Sequence, residues 1–249
     1  MSRAGAAILL VALALWGGCG GDEGDDRLVV SAAASLKEPF TAYGREFEPA
    51  EVRLSFAGSD ELAAQIRRGA LPDVYAAANT ALPEALHRER LVERPHVFAS
   101  NRLVLAVPSE GGRVASLADA ERDGVRLAVG SPSVPVGSYT REAIARLGPE
   151  RSRRILANVR SEEPDVRGIV GKLTQGAVDA GFVYVTDVEA AGGRLRAIEL
   201  PAELRPRVAY AASVVEGSDN GDAARAFVEG LVAGAGAERL REAGFEPPP

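Results

Sequence analysis

Four places in this 249-residue chain set small hydrogen-bond donors where a strand gives way to a helix. In SLKE, Ser35 precedes a helical pattern with Glu38 three residues on, the spacing of a capping box. Pro39 removes one donor, but within the first turn, where the loss is tolerated. In FAGS, Gly58 lets the backbone approach closely, and Ser59 offers a hydroxyl and the N–H groups behind it. Asp60 and Glu61 suit the helix dipole there, but would repel an anion unless they point away. PSVPVGSY (residues 132–139) reads as a rigid loop ahead of a helix, with Gly137 free and Pro132 and Pro135 fixed in φ. Asp165 caps the start of the next helix, which carries Val166 and a surface Arg167. Tyr184 ends the apolar run GFVY, where a buried ring can point its hydroxyl into a cleft.

The chemistry open to such residues is anion capture. First-turn N–H groups have no acceptor in their own helix, and the positive end of the dipole favours negative charge. Against this stands plain capping, since a serine ahead of a helix more often contributes only about 1 kcal/mol to that helix. Taken singly, each position leaves both readings open.

The elements that must position these residues alternate along the chain. Residues 28–33 read as a buried strand, and Leu36, Phe40, Tyr43 and Phe47 then share one helical face. A strand at 52–56 leads to a helix from Ser59 that Arg67, Arg68 and Gly69 close. Strands follow at 73–77 and 125–129, and helices at 140–147 and 166–173. A strand at 180–185 and a last helix near 222–233 complete the pattern. This is an α/β fold with largely parallel sheets. Two long apolar stretches, 103–108 and 208–215, suggest two lobes joined by two crossing strands.

Composition excludes other classes. A net charge of −6 and a pI near 5.2 rule out the basic footprint of a nucleic-acid binder. Of the 29 basic residues only Lys37 and Lys172 are lysines, the signature of a GC-rich genome. The two histidines, His87 and His96, lie away from the strand ends, and there is neither a G-x-S-x-G elbow nor a His/Cys metal cluster. The reading is a binding protein, not an enzyme, and it requires no cofactor.

The chain opens on an export signal: Arg3, a short apolar run at 6–16, then Gly17, Gly18 and Cys19. Cutting ahead of Cys19 removes one positive charge, so the exported chain is still more acidic and must hold any anion through local donors. The stretch resembles a bacterial lipoprotein processing site with Cys19 as the lipidated residue, although Trp16 stands where that pattern prefers Leu. An ordinary cleaved signal with an incidental cysteine remains the other reading. GGDEGDD (residues 20–26) has no apolar residue and reads as a solvated tether.

AAASL, FAGSDELAAQI, GALPDVYAAA, SNRLVLAVP, GSPSVPVGSY and GFVYVTD occur in this order, and the series closes on Gly244-Phe245. The series resembles the periplasmic molybdate-binding proteins of ABC importers from Leu28 to Phe245. The resemblance implies a two-lobed, type II periplasmic binding protein fold with a hinge between the lobes. It implies an oxyanion, molybdate or tungstate, held by neutral donors. Ser35 and Ser59 would give hydroxyl and N–H, Val136 and Val166 their N–H, and Tyr184 its hydroxyl; Val136 stands where the family more often has Ala. It further implies delivery to the membrane subunits of an ABC permease and a monomeric, extracytoplasmic protein. The expected division is a signal at 1–18, a tether at 19–27, lobe one at 28–104 plus 216–249, and lobe two at 105–215. Sulfate or another tetrahedral oxyanion is the alternative ligand.

Overall fold

The computed structural model describes residues 27–249; the export segment, Cys19 and the tether up to Asp26 lie outside the described residues. The first run comprises β1 (Arg27–Ala33), α1 (Lys37–Glu46), β2 (Glu51–Ala57), α2 (Ser59–Arg67), β3 (Val74–Ala77), α3 (Ala81–Arg88) and β4 (His96–Asn101). The second opens with β5 (Leu103–Pro108), β6 (Leu127–Gly130), α4 (Pro135–Ala145), α5 (Pro149–Ala157) and β7 (Val159–Glu163). It continues with α6 (Val166–Thr174), β8 (Ala180–Tyr184), α7 (Val185–Ala190) and β9 (Leu195–Glu199). β10 (Val208–Val214), α8 (Gly221–Ala233) and α9 (Ala235–Glu242) follow.

The strands form two five-stranded sheets of the same topology, β2-β1-β3-β10-β4 and β7-β6-β8-β5-β9. In each, three parallel strands end in an antiparallel pair: β10 runs against β3 and β4, and β5 against β8 and β9. β1 is apolar nearly throughout because helices cover both faces of its sheet. The edge strand β2 instead alternates exposed and half-buried residues, as one covered face demands. α1, α8 and α9 lie on one face of the first sheet. There the predicted stripe of Phe40, Tyr43 and Phe47 closes on Phe227, with ring centroids 5.7, 4.6 and 5.3 Å away. A Cβ at Gly230 would overlap the Tyr43 hydroxyl, so close packing of α8 requires glycine there. Leu62, Ile66, Tyr75 and Leu86 form a second core under α2 and α3.

Several expectations change. Residues 135–139 are not loop: Pro135 occupies the first turn of α4, the helical position where its missing N–H costs nothing. The chain does not end on α8, because Gly234 breaks the helix and α9 follows. The two long apolar stretches do not themselves cross. β5 lies wholly in the second sheet and β10 wholly in the first, although lobe two was expected to run from 105 to 215. The crossings are Arg102, between β4 and β5, and residues 200–207, between β9 and β10. Arg102 ties them together through Glu199 at 2.5 Å and Glu246 at 2.9 Å.

Candidate functional site

The parallel strands β1, β2, β6, β7 and β8 all deliver their carboxyl ends to the cleft between the sheets, and each is followed there by a helix start. This is where open α/β sheets bind ligands, because side chains and free N–H groups diverge from the strand ends. One cavity takes its lining from all five junctions. Ser35, Ser59, Val136, Val166 and Tyr184 line it together, with Gly58 and Asp165 beside them. Each of the five is at most 6% exposed, so the lobes stand closed over them. The cavity measures about 20 Å³. A single trapped water needs about 10–15 Å³ on a comparable measure, so the site takes a compact ligand rather than a sugar or an amino acid.

Donor polarity is the distinctive feature. Ser59 Oγ accepts the Ala78 N–H at 3.1 Å, and the Ser59 carbonyl accepts the Tyr75 hydroxyl at 2.7 Å. With its acceptor side engaged by the protein, the Ser59 hydroxyl has its own proton left to give. Ser35 Oγ lies 3.1 Å from the Tyr210 hydroxyl. Tyr184 lines the cavity, and its hydroxyl, though buried, has no hydrogen-bond partner among the described residues. Val166 is the first residue of α6 and Val136 the second of α4, so the N–H of each lacks an acceptor within its own helix. The cavity is thus rimmed by groups with protons to donate.

The capping readings divide. Asp165 is a true cap, its carboxylate accepting the Gly168 N–H at 3.0 Å. Ser35 is not: β1 passes into a short 3-10 turn, α1 starts only at Lys37, and no side chain caps it. Glu38 leaves the expected capping box and pairs with Arg167 of α6 at 2.9 Å, a bridge between the lobes. Ser59 sits inside α2, with Gly58 at the cap position and no side-chain cap. Asp60, Glu61 and Arg167 do not line the cavity.

No lysine, arginine or histidine lines the cavity among the described residues. Attraction for an anion therefore comes from hydroxyl and N–H dipoles at short range. Burial raises the pKa of Tyr184 well above the ordinary phenol range, so this hydroxyl keeps its proton. Behind it, Asp187 accepts the Tyr184 N–H at 3.0 Å. Burial drives its carboxyl up to about 7; the Tyr184 N–H and Arg167 pull it down, while Glu38 and Asp165 push it up. Asn101, Thr186, Asp187 and Tyr210, which stand behind the cavity wall, carried no signal of this role in the sequence.

This fold and this cradle define a two-lobed solute-binding protein. The family model for bacterial extracellular solute-binding proteins matches residues 28–246, and the chain belongs to that family. The molybdate-binding protein ModA of Mycobacterium tuberculosis (strain ATCC 25618 / H37Rv) is 35% identical over 235 residues, spanning 92% of this chain and 88% of that protein. The periplasmic molybdate-binding protein of Azotobacter vinelandii has the same fold, with a TM-score of 0.79 at 19% identity over 89% of this chain and 100% of that one. So does the sulfate-binding protein SubI of M. tuberculosis H37Rv, with a TM-score of 0.78 at 17% identity over 89% of this chain and 86% of that one.

Proposed function

We propose that this protein captures molybdate, and tungstate with it, between its lobes and delivers the anion to the membrane subunits of an ABC importer. The observation that carries this reading is a cradle whose serine, tyrosine and first-turn N–H groups are left with protons to give. Ser59 already accepts a main-chain N–H, Tyr184 has no protein partner, and Val136 and Val166 stand at helix starts. A doubly charged anion is costly to bury without a cation unless its oxygens receive hydrogen bonds. Each bond to a charged group contributes about 1.5–3 kcal/mol, so several together sustain tight capture. Molybdate and tungstate are fully deprotonated at neutral pH and present only acceptors, whereas phosphate keeps a proton that needs an acceptor. Kinship with ModA favours molybdate over sulfate, whose charge suits the same donors.

In this reading Ser35 and Ser59 give hydroxyl and N–H, Val136 and Val166 give N–H, and Tyr184 gives its hydroxyl. The hinge runs through Arg102 and residues 200–207, and the protein works as an extracytoplasmic monomer anchored by a lipid on Cys19. The test is thermal unfolding with molybdate, tungstate, sulfate and phosphate side by side. At a ligand concentration of 100 Kd, mass action adds about 2.7 kcal/mol, a rise of roughly 5–10 °C in a domain of this size. Equal rises with sulfate would overturn the molybdate assignment, and no rise with any anion would overturn capture itself.

A further inference from the structure

We propose that Tyr210 is a positioning residue that fixes the Ser35 hydroxyl as a proton donor toward the cavity and so sets the site's preference for fully deprotonated anions. The inference rests on the anion-capture reading above. Tyr210 lies in the middle of β10 and is fully buried. Its ring is held on three sides, by Phe245 at 5.3 Å, Tyr184 at 5.9 Å and Phe98 at 6.2 Å between centroids. The hydroxyl is therefore pinned, and it ends 3.1 Å from Ser35 Oγ.

The direction of that contact follows from where each proton can go. A phenol has a single proton, and at the buried Tyr210 hydroxyl Ser35 Oγ is the acceptor within hydrogen-bond distance among the described residues. Ser35 then receives one bond from the protein, and its own proton is left for the ligand. The reverse arrangement would leave the buried phenol proton without an acceptor among the described contacts. Burial holds Tyr210 protonated, which keeps the relay in one polarity. Ser59 reaches the same state through the Ala78 N–H. The two serines are thus made donors by different means, one by the main chain and one by a buried phenol. An anion that retains a proton would need one of them to accept, and the relay denies it Ser35.

The experiment is a double-mutant cycle with Tyr210→Phe and Ser35→Ala, read by calorimetric titration with molybdate and with inorganic phosphate at pH 8, where phosphate keeps one proton. Phe preserves the ring packing and removes only the hydroxyl. Tyr210→Phe is expected to weaken molybdate about tenfold and to narrow the molybdate-to-phosphate ratio, because Ser35 can then turn and accept. In the Ser35→Ala background the same change should add less than about twofold, since its path to the ligand has gone. Additive losses in the cycle, or an unchanged molybdate-to-phosphate ratio in Tyr210→Phe, would overturn the proposal alone. A parent protein that binds neither anion would overturn the capture reading and this proposal with it.

Discussion

Closure of the two lobes can be blocked at one atom. Gly58 belongs to the loop between β2 and α2, and in the closed protein it faces the carbonyl of Pro164, in the loop between β7 and α6 of the other lobe. A Cβ built on Gly58 falls about 1 Å inside the 3.4 Å of ordinary van der Waals contact with that carbonyl. The clash is with backbone, which has no rotamer by which to retreat. The Gly58 backbone itself, at φ −60 and ψ 137, accepts alanine without strain. Gly58→Ala therefore asks only the Asp60 side chain, whose Oδ1 would lie 2.9 Å from the new Cβ, to turn aside within its own lobe, and holds the two lobes apart by about 1 Å at the cradle. Hydrogen bonds near 2.9 Å that must stretch by that much are lost. Losing the two N–H donors from the second lobe, at about 1.5 kcal/mol each, weakens capture by more than a hundredfold. Unliganded stability should change by less than about 1 kcal/mol, since the entropy gained by removing a glycine offsets the weaker cap. Isothermal titration with molybdate, with unliganded chemical denaturation alongside, measures both quantities. An affinity within threefold of the parent would refute the steric reasoning.

Ser59→Ala should abolish the molybdate-induced rise in melting temperature and also lower unliganded stability by about 1–3 kcal/mol, because it leaves the buried Ala78 N–H without its acceptor. An unchanged urea midpoint would show that this bond contributes nothing. Asp187→Asn keeps an oxygen for the Tyr184 N–H and removes a buried charge. Because the folded carboxyl titrates near 7, above its ordinary 3.8, ionisation costs the fold stability progressively between those values and fully above them. The variant should match the parent near pH 4 and exceed it at pH 8 by a few kcal/mol, at about 1.4 per pH unit; a pH-independent difference in denaturation would contradict the assignment. Glu38→Gln breaks the exposed bridge to Arg167 between the lobes and should weaken molybdate by at most about fivefold, less at high salt. A loss of a hundredfold, or one insensitive to salt, would mean that the bridge does more than clasp the surface.

Much of the cradle is local and was therefore legible. A strand followed by a small residue and a helix places N–H groups at a positive dipole end, whatever the rest of the fold does. That local chemistry left capping and capture both open, and it was the resemblance of six short segments to the molybdate-binding family that named Ser35, Ser59, Val136, Val166 and Tyr184, which the fold brings around one cavity. The apolar strands β1, β5, β8 and β10 were equally readable, because buried parallel or central strands are continuous runs of apolar residues. The polar edge strands β7 and β9, with sequences VRSEE and LRAIE, were not, since a half-covered strand looks like a helix surface or a loop. Pro135 was read as loop although a proline in the first turn is itself a helix-start signal.

What local chemistry could not decide was partnership. Ser35 looked like a cap, and whether it caps depended on one stretch of backbone: the strand running on to Ala33 and turning through a 3-10 step. Its real partner, Tyr210, lies 175 residues away in the chain. Glu38 likewise left its local box for a cation 129 residues distant. β10 could be recognised as a strand, but no periodicity says which sheet a strand joins; its pairing with β3 and β4 moved the lobe boundary from the expected position. The sequence by itself determined which strand ends carry hydroxyls and first-turn N–H groups, because residue identity and helix starts are short-range properties. Only the tertiary structure decided the direction in which those donors point, because each proton is oriented by a partner that folding brings from a distant part of the chain.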